Sequence, residues 1–100
     1  MVQVRQTERF VQWLEDLRDL RARPKVQARI ERLIGGNPGD VKPVGAGVSE
    51  LRINYGPGYR VYYLQRGTSL IILLAGGDKS SQANDIGEAL LLADNLTEEI

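Results

Sequence analysis

Apolar residues recur along this chain with two different periods, and each change of period marks a change of element. Val2 to Arg5 reads as a short strand. Thr7 can cap a helix behind it, and Phe10, Trp13, Leu14, Leu17 and Leu20 fall on one stripe at helical spacing. Pro24 suits the first turn of a second helix, with Val26, Ile30, Leu33 and Ile34 as its buried face. Gly35-Gly36 stops that helix, and Asn37-Pro38-Gly39 continues the break. The glycine- and proline-rich stretch 37–47 reads as a loop.

Strand patterns follow at about 48–55, 59–66 and 69–75, with turns at Gly56-Pro57-Gly58 and Gly67-Thr68. Leu70 to Leu74 is apolar at every position, as expected of a central strand buried on both faces. Gly76-Gly77 reads as a turn beyond it, and Ser80 or Ser81 can cap a last helix. The stripe of that helix is Ile86, Leu90, Ala93 and Leu96, and Gly87 weakens it by ~1 kcal/mol relative to alanine. The order β-α-α-β-β-β-α predicts one α+β domain over residues 1–100. A helical hairpin packs on a mostly antiparallel four-stranded sheet, and a helix ends the chain.

Alternation also sorts the charges. Arg52 leaves its strand opposite Leu51 and Ile53, and Arg60 leaves its strand opposite Tyr59 and Val61. If the strands form a hairpin, both arginines share the face away from the core, and Lys79 arrives at the end of the neighbouring strand. Three cations on one face suggest an anion site, with a phosphodiester as leading candidate. Glu50 can pair with Arg52, two residues away on the same face.

The overall charge is zero, which argues against nonspecific coating of nucleic acid, but it is unevenly distributed. Residues 1–66 hold twelve basic against seven acidic residues, and residues 67–100 hold Lys79 against six acids. The chain has no histidine and no cysteine, which removes the commonest general acid–base, thiolate chemistry and the usual zinc ligands. No cofactor or metal is expected. The absence of disulfides fits a reducing cytoplasm. No apolar run approaches the ~18 residues of a membrane span, and no secretory leader is evident, so a membrane role is not expected. Gly76-Gly77 lacks the spacing of a nucleotide-binding P-loop. RNA cleavage tolerates this inventory, because the ribose 2′-hydroxyl supplies the nucleophile. The protein then has only to orient it, stabilise charge on phosphoryl oxygens and move protons.

The order of elements, Glu50-Leu51-Arg52-Ile53, Gly58-Tyr59-Arg60-Val61-Tyr62-Tyr63, and the run from Leu73 through Gly76-Gly77-Asp78-Lys79 to Gln82 and Asp85-Ile86 resemble the RelE/ParE toxin superfamily. The similarity is greatest to its HigB-like branch, the addiction-module killer proteins. It implies a RelE-like fold and a cytoplasmic toxin of a type II toxin–antitoxin system, a ribosome-dependent mRNA endonuclease that inhibits translation. Its partners would be mRNA, the ribosome and a cognate antitoxin, expected to be a helix-turn-helix protein. Catalytic roles would fall to Arg52, Arg60 and Lys79, and substrate contacts to Tyr62, Gln82 and Asn54. Some relatives use a tyrosine or histidine near the end of the site, where this chain has Ser80-Ser81-Gln82-Ala83-Asn84. Two alternatives are a non-catalytic gyrase poison of the ParE type and a degenerate toxin that only binds its antitoxin.

Overall fold

The computed structural model describes residues 2–97. The chain runs β1 (Gln3–Gln6), α1 (Glu8–Glu15), α2 (Ala22–Ile34), β2 (Val41–Gly45), β3 (Val48–Ile53), β4 (Tyr59–Arg66) and β5 (Leu70–Gly77). A single 3₁₀ turn at Lys79–Ser81 then leads into α3 (Gln82–Thr97). The class is α+β, as the patterning predicts. The sheet is mixed and five-stranded, in the order β1-β5-β4-β3-β2, with β1 parallel to β5 and every other pair antiparallel.

The fifth strand is β2, in the stretch expected to be loop. Its Pro43 and the bulge between Pro43 and Gly45 mask it in sequence, and both are features that edge strands tolerate. It turns into β3 through Gly45-Ala46-Gly47, all with positive φ (114°, 51° and 80°).

Helix α1 starts where Thr7 accepts a hydrogen bond from the Phe10 amide at 3.1 Å. The same hydroxyl donates to the Leu74 carbonyl at 2.6 Å, tying the helix start to β5. The helix is shorter than its apolar stripe implies. It ends at Glu15, and Leu20 stands 77% exposed in the turn that follows. Asp19 shapes that turn by accepting from the Arg21 amide and the Tyr55 hydroxyl, both at 2.9 Å. In α2, Ala22, Val26, Ile30 and Leu33 are buried, whereas Ile34 lies largely outside the core. Gly36 at φ 90° closes this helix, with Asn37 donating to the Arg32 carbonyl and Gly36 to that of Leu33.

The sheet has a core on each face. Phe10, Val26, Ile30 and Leu33 meet Leu51, Ile53, Val61, Ile71 and Leu73 on the face covered by α1 and α2. Ala89 and Ala93 of α3 meet Val48, Tyr62, Leu64, Ile72 and Leu74 on the other. β5 is therefore buried on both sides, which explains its unbroken apolar run. Burial stabilises each Val, Leu, Ile and Phe among them by roughly 1.5–3 kcal/mol, and the two alanines by less.

Gly76-Gly77 forms the end of β5 rather than a turn, and packing on its two faces explains the pair. A Cβ on Gly76 would lie 2.1 Å from the Trp13 ring, and one on Gly77 would lie 1.8 Å from Asp85 Oδ2. The absent side chains let α1 close on one face and α3 on the other. We expect Gly76→Ala to lose about 1–3 kcal/mol of stability through displacement of Trp13. Chemical denaturation followed by Trp13 fluorescence measures this, and an unchanged midpoint would contradict the packing account.

Candidate anion-binding site

The second face of the β3–β4 hairpin changes character along its length. Val48 pairs with Leu64, then Glu50 with Tyr62, then Arg52 with Arg60. The first pair lies in the core beneath α3, the second is fully buried, and the third is at the open end. Two cations directly opposite each other in adjacent strands repel, so this end of the hairpin is electrostatically unfavourable without an anion or a counter-charge.

Arg52, Arg60 and Lys79 line one cavity of about 470 Å³, together with Asp40, Asn54 and the turn Gly56-Pro57-Gly58. Among the described residues, Arg60 Nε is buried without a hydrogen-bond partner. The Lys79 ammonium makes no ion pair among them either. Lys79 is held from behind by its backbone, whose amide donates to the Pro57 carbonyl at 3.4 Å. The turn that presents it is capped by Asp78. The Asp78 side chain accepts from the Ser80 amide at 2.9 Å, and Ser81 Oγ accepts from the Asp78 amide at 3.3 Å. Hydrogen bonds to its carboxylate, first from the Ser80 hydroxyl and then from the Ser80 and Ser81 amides, outweigh burial and hold the Asp78 carboxyl below its usual range.

Glu50 sits behind the arginines with no exposed surface. It accepts from Arg52 Nε at 2.9 Å, from the Tyr62 hydroxyl at 3.0 Å and from Gln82 Nε2 at 2.8 Å. Burial alone would push its carboxyl up. The hydrogen bonds from Gln82, Arg52 and Tyr62, with the nearby Arg60 charge, outweigh burial and hold it below its usual value. Burial first, then the charge and hydrogen bond of Glu50, push the Tyr62 hydroxyl far above its ordinary value, so it stays a donor.

The sequence-derived site therefore separates into two layers. Arg52, Arg60, Lys79 and Asn54 line the cavity. Tyr62 is wholly buried, so it meets Glu50 rather than a ligand, and Gln82 also turns to Glu50. The alternation of strand side chains gives the face of Tyr62 but not the depth of α3 above it.

Two contributors escaped the sequence reading. Asp40 places a carboxylate on the cavity wall, and its backbone carbonyl accepts from the Arg52 amide at 3.0 Å. Arg29 of α2 donates to the Pro38 carbonyl at 2.9 Å and to the Arg52 carbonyl, fastening this loop to β3. Its signal in the sequence is faint: a guanidinium one position before the buried Ile30, on an otherwise apolar helix face. Among the described residues, no group of three or more His, Cys, Asp or Glu is placed to hold a metal ion. No helix there is long and apolar enough to cross a membrane.

A protein of Haemophilus influenzae, described as an uncharacterized protein, is 52% identical over 95 residues, which make up 95% of this chain and 96% of that protein. No protein-family model matches the chain. No solved structure matches it.

Because the Glu50 carboxyl is lowered in the fold, it contributes stability that is fully present above its ordinary value of 4.5 and lost as pH falls through the folded value. We expect Glu50→Gln to cost about 1–3 kcal/mol at pH 7, where a charged acceptor for three donors is lost. Below pH 4.5 the gap to wild type should narrow, since wild type alone loses this contribution. Asp19 and Asp78 are also lowered but are shared by both proteins. Melting temperatures from pH 7 to pH 3 test this, and parallel curves would rule out a charged Glu50 as the source.

Proposed function

The chain belongs to the same family as that Haemophilus influenzae protein, and from its own site we propose that it is the toxin of a type II toxin–antitoxin pair. In this reading it is a RelE-like, ribosome-dependent mRNA endonuclease of the HigB-like branch, acting in the cytoplasm and neutralised by a cognate antitoxin. The observation that carries the proposal is the convergence of Arg52, Arg60 and Lys79 on one cavity, with the buried Arg60 Nε unpartnered among the described residues.

The chemistry follows from those groups. The ribose 2′-hydroxyl attacks the adjacent phosphorus and the 5′-oxygen of the next nucleotide leaves, so a proton is lost at one oxygen and gained at the other. Arg52 and Arg60 stabilise the negative charge that accumulates on the phosphoryl oxygens, a contribution of the size of ~3–4 kcal/mol for a well-placed donor. Neither can exchange a proton near neutral pH, because guanidinium stays protonated. Lys79 is the cavity cation whose chemistry allows proton transfer. Asn54 contacts the substrate from the end of the same hairpin. Asp40 disfavours a second phosphate on its side of the cavity and so limits how the RNA strand can enter.

Inducing the protein and mapping mRNA 5′ ends tests the proposal: new ends on translated messages support it. Growth arrest without new ends would overturn it in favour of a non-catalytic poison. We expect Arg60→Glu to abolish growth inhibition and reduce cleavage at least ~100-fold. The fold should persist, because the substitution lies at the open end of the sheet and not in the apolar core. A folded, fully toxic variant would remove Arg60 from the site. Lys79→Arg separates charge from proton transfer. It should retain RNA binding but lose roughly 10²–10⁴-fold in single-turnover cleavage. Near-wild-type cleavage would leave the position supplying charge alone.

A further inference from the structure

The guanidinium of arginine offers two usable edges: a side-on edge made by Nε and one Nη, and an end-on edge made by the two Nη groups. In this fold Arg52 commits its Nε to Glu50 Oε1 at 2.9 Å. Among the described residues its Nη groups make no hydrogen bond, while the side chain lines the cavity. A carboxylate that grips Nε therefore fixes the plane of the fork and leaves the end-on edge for two oxygens of an anion.

Glu50 can grip in this way because it is itself held from two directions. Tyr62 bonds it across the strand pair at 3.0 Å, and Gln82, the first residue of α3, bonds it at 2.8 Å. Both act on Oε2, leaving Oε1 to Arg52. The carboxylate has no exposed surface and so cannot touch substrate. Taking the cavity as the anion site proposed above, we infer that Glu50 is a positioning residue. It orients Arg52 for end-on binding of a phosphate-class anion, and Gln82 locks it in place from α3.

Removing a buried negative charge beside two arginines would, by Coulomb attraction alone, tighten binding of an anion. A positioning role requires the opposite, because a loosened Arg52 loses rotamer order that binding must then restore. The test uses full-length protein labelled with ¹⁵N-arginine, with the Arg52 Nε–H signal assigned by its loss in Arg52→Lys. Wild type, Glu50→Gln and Gln82→Ala are compared without ligand and then titrated with inorganic pyrophosphate at constant low salt. Thermal melts verify folding at the measuring temperature. We expect the Arg52 Nε–H to exchange with water at least ~10-fold faster in both variants, and pyrophosphate binding to weaken roughly 3- to 10-fold in both.

Gln82→Ala alters no charge, so it carries the test even if Glu50→Gln fails to fold. An unchanged Nε–H signal in Gln82→Ala, or affinity equal to or above wild type in a folded variant, would overturn the positioning role. So would failure of wild type to bind pyrophosphate. Mapping of mRNA ends remains a separate readout. A protein that binds pyrophosphate through an ordered Arg52 but cuts no message refutes the proposed nuclease and leaves the role of Glu50 standing.

Discussion

A carboxylate removed from water costs several kcal/mol unless donors replace its hydration. Glu50 is wholly buried, and three donors from three different parts of the fold meet it. Arg52 comes from its own strand, Tyr62 from the next strand and Gln82 from α3. Loss of any one leaves a buried acceptor underpaired, so the hairpin and the C-terminal helix cannot shift independently at low cost. The arrangement also offsets the repulsion between Arg52 and Arg60, which face each other across β3 and β4. A negative charge placed beneath the pair partly compensates them while leaving the cavity side open.

The end of β5 supplies the matching constraint. Trp13 and Asp85 press against Gly76 and Gly77 from opposite faces. The strand leaves the sheet between two fixed walls, and Asp78 immediately caps the turn that carries Lys79. Lys79 is thereby placed by backbone and packing, without a bond to its own ammonium among the described residues. Two cations are thus set by the hairpin and one by the strand end.

The main elements are legible in sequence because period and punctuation agree: Thr7 before an apolar helix face, Gly35-Gly36 after one, and unbroken apolarity in β5. The shared face of Arg52 and Arg60 is legible for the same reason, since alternation fixes side. What escapes is whatever depends on depth. Tyr62 and Arg60 have equivalent alternation, yet one lies in the core and the other at the cavity, because α3 covers only part of the sheet face. β2 escapes because Pro43 and a bulge hide a strand that tertiary pairing creates. Gly76-Gly77 resembles a turn because what requires glycine there, the Trp13 ring of α1 and the Asp85 carboxylate of α3, reaches the strand only through helix packing.

The parallel pairing of β1 with β5 has a consequence for synthesis. Gln3 pairs with Leu70, and the Glu50 cluster closes only when Gln82 arrives. Contacts of such long sequence separation form late and slowly. A chain still emerging from the ribosome has its first strand unpaired until β5 is available, and its arginines unorganised until Gln82 is. The cationic surface is therefore assembled only once β1, the β3–β4 hairpin and the start of α3 are all present, and every earlier stage of synthesis lacks the cavity that the folded domain presents.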